Sequence, residues 1–239
     1  MLSGNKNVDL LILDNIEDRD LFNYCLTDKY AAKLCKNEDF WRNRFLKRFG
    51  KVASEYKPKT RSWKNHYLKV VSDLDKYSAN PWEFFNEISW NFRDEVRWRN
   101  LPNYQEFLDP SFRVQSYREI KYAPEEVQNV YWLLDLGKTV KIDYIIDRYD
   151  ELDPIVEEYT SETYFTPHTV LEKVREFYNK PLTRSELEEQ KDIGNPFADD
   201  YSLEEADRGE VKRIDMLGEP FFEGFYNSDK DYHTIMFGT

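Results

Sequence analysis

The chain has 239 residues, of which 40% are hydrophobic and 16% aromatic, enough apolar material for a sizeable core and too much for global disorder. A formal net charge of −12 and an isoelectric point near 4.9 argue against a dedicated nucleic-acid binder. No run of 18 apolar residues occurs, and Met1 to Lys6 lacks the apolar stretch of a signal peptide, so a soluble, intracellular protein is expected.

Val8 to Phe49 reads as four short helices. Leu10, Leu11, Leu13 and Ile16 form an apolar stripe, and Asp18 is placed to cap a second helix carrying Leu21, Phe22, Cys25 and Leu26. Asp28 opens a third with Ala31, Ala32, Leu34 and Cys35. Asn37 caps a fourth with Phe40, Trp41, Phe45 and Phe49, which Gly50 stops. Helices this short need tertiary packing, so a compact orthogonal bundle is expected. Cys25 and Cys35 lie on apolar helix faces, with no Cys-x-x-Cys and no framework of spaced pairs, and are expected as buried free thiols.

The order Ile12-Leu13, Ile16, Asp20-Leu21, Leu26, Tyr30 and Phe40-Trp41 resembles an F-box, a module that docks proteins onto a partner. The resemblance implies contact with the Skp-type adaptor of cullin ubiquitin ligases through Leu10, Leu11, Leu13, Ile16, Leu21 and Phe22. Two positions depart from the pattern. Gly4-Asn5 stands where the family has Leu-Pro, which bears on adaptor contact, and Tyr30 replaces the usual Trp of the third helix.

Charge is unevenly spread. Residues 1–70 carry 15 Lys and Arg against 9 Asp and Glu, a balance of +6, leaving 19 against 37, or −18, for residues 71–239. Ten basic residues and the single acid Glu55 fall in 40–69, interleaved with Trp41, Phe45, Tyr56, Trp63 and Tyr67. That texture suits a phosphate backbone, with Arg44, Lys47, Arg48 and Lys51 as the contacts, a basic face docked on the acidic remainder of the chain, one that merely solvates its helices, or an acidic protein partner.

Ser62 caps a helix through Leu74 that closes the first domain, 1–75. Asn80-Pro81 opens a further helix from Trp82 to Ile88. Trp82, Trp90 and Trp98 read as core or interdomain packing. Phe112 to Tyr117 reads as a strand, and Val130–Leu136 and Val140–Ile146 as a hairpin turned at Gly137-Lys138. Thr166-Pro167 launches a helix with Val170, Leu171, Val174, Phe177 and Tyr178 on one face, and Thr183 with Glu186 forms the capping box of its neighbour. Residues 189–213 are acidic and weakly patterned, the signature of a mobile loop. Order is expected to return at Met216–Phe225 and Tyr232–Phe237 as a final hairpin. The fold class is thus α+β, with the helical bundle followed by a domain at 76–239 holding an antiparallel sheet and a helix pair. His168 to Tyr178, Pro181-Leu182-Thr183, Phe221 to Phe225 and Phe237-Gly238-Thr239 also resemble uncharacterised proteins of giant nucleocytoplasmic DNA viruses, which implies a host cytoplasmic or nuclear setting.

Signals for chemistry are weak. With eight glycines there is no phosphate-binding loop, and there is no zinc-ligand spacing and no nucleophile elbow. His66, His168 and His233 are dispersed. Asp147, Asp150, Glu151 and Asp153 lack the ordered spacing of a calcium loop. No catalytic residue, metal or cofactor is expected, and the leading expectation is a non-enzymatic protein–protein interaction module. The alternatives are a nucleic-acid-associated factor using 40–69 and a carboxylate-dependent hydrolase whose acids are distant in sequence. Nothing in the sequence sets the oligomeric state.

Overall fold

The computed structural model describes residues 3–27, 29–53, 57, 59–85, 113–116, 119–122, 125–147, 152–217, 221–227 and 233–238. The fold is α+β, and the chain divides into two compact units, Met1–Asp75 and Lys76–Thr239.

The first unit is helical: α1 (Lys6–Asp14), α2 (Asp18–Thr27), α3 (Lys29–Leu34), α4 (Glu38–Ala53) and α5 (Trp63–Asp75). Local chemistry sets the boundaries. The Asn5 side chain accepts the N–H groups of Asn7 and Val8 to start α1, Asn37 accepts from Asp39 and Phe40 to start α4, and the Ser62 hydroxyl accepts from Asn65 to start α5. Gly50, at φ 82°, breaks the regular turn of α4, a conformation that costs glycine no Cβ clash. Leu13, Leu21, Ala31, Leu34, Phe45, Tyr67 and Val70 are buried around Trp41. The Trp41 indole N–H is satisfied by the Cys35 carbonyl at 2.8 Å, as a buried indole requires.

The two cysteines are not free thiols. Cys25, in the last turn of α2, is disulfide-bonded to Cys35, just past α3. The apolar faces on which both were placed are turned towards each other by the α2–α3 corner, bringing the Cα atoms to 5.9 Å, within the reach of a disulfide. Sequence spacing carries no trace of that approach.

The second unit is built on a four-stranded sheet of order β4-β3-β6-β5, from β3 (Thr139–Tyr144), β4 (Ile155–Thr160), β5 (Phe221–Asn227) and β6 (His233–Gly238), with a separate hairpin of β1 (Arg113–Ser116) and β2 (Glu119–Tyr122). Its helices are α6 (Glu125–Leu133), α7 (Pro167–Tyr178), α8 (Arg184–Asp192) and α9 (Leu203–Asp207), followed by a 3₁₀ turn at Arg213–Leu217. The sheet is mixed where an antiparallel one was expected, because β3 and β6 pair in parallel, Ile142 opposite His233 and Asp143 opposite Thr234. The expected strand from Val130 is instead the end of α6, and β3 makes its hairpin with β4. A short apolar run fits a buried helix as well as a strand.

Helix α7 has the predicted start, with Thr166 and Thr169 in a reciprocal cap and Pro167 in the first turn. It covers β3: the Phe177 and Tyr144 rings stack at 3.8 Å, and the Tyr178 hydroxyl donates to the Ile145 carbonyl at 2.8 Å. Beside it α8 carries the Thr183–Glu186 capping box. Residues 189–213 are not a mobile loop. Leu182, Leu187, Ala198, Ala206, Val211 and Met216 close a small core there. Buried Asn195 ties it together, donating to the Gln190 side chain at 2.6 Å and the Met216 carbonyl at 2.9 Å. Single apolar residues at irregular spacing leave no periodicity to read, which is why composition misleads here.

On the sheet, Trp82 stacks on His233 at 3.5 Å and Phe85 meets Phe225 edge-on at 4.8 Å. The remainder of the helix expected through Ile88 lies outside the described residues, as do Trp90, Trp98, Phe112 and Tyr117.

Candidate functional site

The apolar stripe of α1 divides between core and solvent. Leu13 is fully buried, whereas Val8, Leu11 and Ile12 are 45%, 66% and 39% exposed. Their i, i+3, i+4 spacing puts these three side chains side by side on one helix face. Of the six residues expected to meet a partner, Leu11 is exposed, and Leu10, Ile16 and Phe22 are half-buried. Leu13 and Leu21 are wholly inside the bundle and offer no surface. Val8 was missed and Ile12 was read only as part of the family pattern, although the spacing that joins them to Leu11 is present in the sequence. Leu26, at the end of α2, is 85% exposed, where the F-box pattern implies a buried aliphatic.

The N-terminal half of α1 is held through buried Asp9. Its carboxylate accepts from the Ser3 N–H and hydroxyl at 2.6 and 2.8 Å, the Gly4 N–H at 2.9 Å and the Tyr30 hydroxyl of α3 at 3.1 Å. Burial opposes ionisation of Asp9, yet these hydrogen bonds together hold its carboxyl below the ordinary aspartate value. Tyr30 supplies a hydroxyl that a tryptophan at this position would lack.

The C-terminal end of α1 is held by Arg44 of α4. Its guanidinium is buried and donates to the Leu13, Asp14 and Ile16 carbonyls at 3.2, 2.9 and 2.6 Å, and to the Asp18 carboxylate at 2.8 Å. The Tyr67 hydroxyl donates to the same Asp18 oxygen at 2.6 Å. Arg48 pairs with Asp18, and Lys47 reaches Asp14 at 2.8 Å. Of the four residues expected to contact nucleic acid, Arg44 is therefore an internal clamp. Lys47 and Arg48 are spent on acids of the same unit, and Lys51 is exposed. The acids that Arg44, Lys47 and Arg48 meet are Asp14 and Asp18 of the α1–α2 corner, within the first unit, and not those of the acidic remainder.

Around these pairs lies an open cleft of about 750 Å³, with Phe22 and Val71 as apolar lining and Glu17 and Arg19 at the α1–α2 corner. Its charges balance: Arg19, Arg44, Lys47 and Arg48 face Asp14, Glu17, Asp18 and Asp75. A cleft without net charge has no electrostatic reason to select a polyanion.

The histidines are not brought together. His66 lies in the first unit against the Phe45 ring at 5.0 Å, His168 against Trp132 at 4.2 Å, and His233 on Trp82. Burial pushes each down to about 4, helped at His66 by the positive charges of Arg61 and Lys57. An unfolded chain therefore takes up protons between the ordinary value of about 6.5 and about 4 that the folded chain refuses. Stability is expected to be full above that window and to fall as pH drops through it. Denaturant melts at about pH 7.5 and about pH 5 check this, and equal midpoints would contradict it.

Asp147 is buried and accepts the Leu152 N–H at 2.9 Å, while Asp150 and Glu151 lie outside the described residues. Among the described residues no three His, Cys, Asp or Glu side chains are grouped to hold a metal ion, and no helix is long and apolar enough to cross a membrane. No family model, curated protein or solved structure matches the chain.

Proposed function

We propose that the chain is a non-enzymatic protein–protein interaction module of F-box-like type, in which α1 docks a Skp-type adaptor and the second unit engages a target. The observation that carries this reading is the exposed Val8, Leu11 and Ile12 face on a helix whose two ends are pinned. Apolar side chains grouped on one rigid helix face are the kind of surface that a partner covers. The F-box-like order of residues and the giant-virus resemblance support a viral protein acting on a host ubiquitin ligase. Asn5 caps α1 where that family carries Leu-Pro, so the adaptor contact rests on the helix face itself.

The test is a calorimetric titration of a purified Skp-type adaptor into the full chain and into Leu11→Asp, both checked by circular dichroism. Leu11 is mostly solvated, so the variant keeps the fold. Losing one central apolar anchor costs about 2 kcal/mol, or roughly 30-fold in affinity. Equal affinity for both proteins, or no binding by either, refutes the reading.

A further inference from the structure

Helix α3 has six residues, too few to persist without tertiary support. Ala31 and Leu34 bury one face of it, and its far end is fixed at Cys35, which is bonded to Cys25 of α2 and whose carbonyl accepts from Trp41. From this helix the Tyr30 hydroxyl reaches Asp9, the buried polar group in the N-terminal half of α1, beside Val8, where the exposed face that continues through Leu11 and Ile12 begins. The other end of α1 is secured independently, by Leu13 in the core and by Arg44 on the terminal carbonyls. A path of contacts thus runs from the disulfide through α3 and Tyr30 to the exposed face. It touches the aromatic packing of α4 and α5 at Trp41, which donates to the Cys35 carbonyl and meets the Tyr67 ring at 5.5 Å.

We propose that the Cys25–Cys35 bond is a redox control on the α1 face: oxidised, it holds the face in register, and reduced, it releases the N-terminal half of α1. The proposal rests on the reading of α1 as the docking helix. A disulfide that must function in a reducing cytosol meets dithiol reductants there, so both states are relevant to a chain working in that compartment.

The chemistry is thiol–disulfide exchange with a dithiol. Both cysteines are buried, Cys25 the less so and next to the solvated Leu26, and Cys25 is accordingly assigned as the sulfur that the reductant's thiolate attacks. The S–S bond breaks, and Cys35 leaves as a thiolate that takes a proton. The second thiol of the reductant then displaces Cys25 from the mixed disulfide and is itself left as a disulfide, two electrons and two protons having passed to the protein.

Amide hydrogen exchange on the full chain tests this without any partner, so failure of adaptor binding leaves the result readable. Treatment with dithiothreitol under native conditions is expected to speed exchange at Val8 to Ile12 by about tenfold or more, while amides of α4 and α5 change by less than about twofold. In the oxidised chain, Tyr30→Phe should reproduce the α1 effect with the bond intact, and Cys25→Ser with Cys35→Ser should mimic reduction. Unchanged α1 exchange, protection lost evenly across the first unit, or a bond that resists the dithiol in the native state would each overturn the proposal. With the exchange result in hand, adaptor affinity with and without dithiol reads the control directly.

Discussion

Replacing Arg44 with alanine is expected to cost the first unit about 3–5 kcal/mol, the penalty for removing one partner of a buried, hydrogen-bonded charge pair. The loss has two parts. Asp18 loses the two N–H groups that Arg44 donates to one of its oxygens and keeps only Arg48 and Tyr67, and the Leu13, Asp14 and Ile16 carbonyls at the end of α1 lose their donors. Lysine does not repair it, since one ammonium cannot reach at once the α1 carbonyls and the Asp18 carboxylate that a planar fork with several N–H groups spans. Urea melts of the full chain, followed by the signal of buried Trp41, should show the first transition shifted for Arg44→Ala and for Arg44→Lys. A midpoint equal to wild type would show that the clamp is not what holds the corner. An Arg44 variant that failed to bind nucleic acid would thus report unfolding, not a lost phosphate contact.

A still larger loss is expected for Leu13→Asp. Leu13 is fully buried, so the substitution forfeits the packing of a core leucine, about 2–5 kcal/mol, and adds a carboxylate with no partner in an apolar site. The sum exceeds the stability of most small units, about 5–15 kcal/mol, at its lower end, and the helical signal of residues 1–75 should be lost. Leu21→Asp belongs to the same class. Leu11→Asp, two positions earlier on the same helix, should leave the circular dichroism spectrum unchanged. Loss of structure in Leu11→Asp, or its retention in Leu13→Asp, would reverse the assignment of core and surface on α1.

Legibility followed periodicity. The helices of the first unit and α7 were readable because polar caps such as Asn37, Ser62 and Thr166 precede apolar residues at helical spacing, and both signals are local. The partition of α1 was less readable. Leu10, Leu11, Ile12 and Leu13 are consecutive apolar residues, and which of them faces inward depends on where α4 lies. Arg44 looked like one member of a basic run, since its acceptors are carbonyls and an acid some 26 to 31 residues away. The same distance effect hid the disulfide, the parallel pairing of β3 with β6, and the core formed by Ala198, Ala206 and Val211.

The pairing of β3 with β6 also shapes how the chain emerges from the ribosome. Asp143 on β3 and Thr234 on β6, joined by a hydrogen bond, are 91 residues apart in sequence. At about 5–20 residues per second, one side of β3 waits roughly 5–18 seconds for its neighbour. Through that interval β3 and β4 form a two-stranded ribbon with an open hydrogen-bonding edge, a form that in isolation is marginal and inviting to other strands. The helices of the first unit draw on nearby contacts and face no such delay. During synthesis the vulnerable species is therefore a chain with a finished helical unit and a half-built sheet, and β6 is the strand that shuts it.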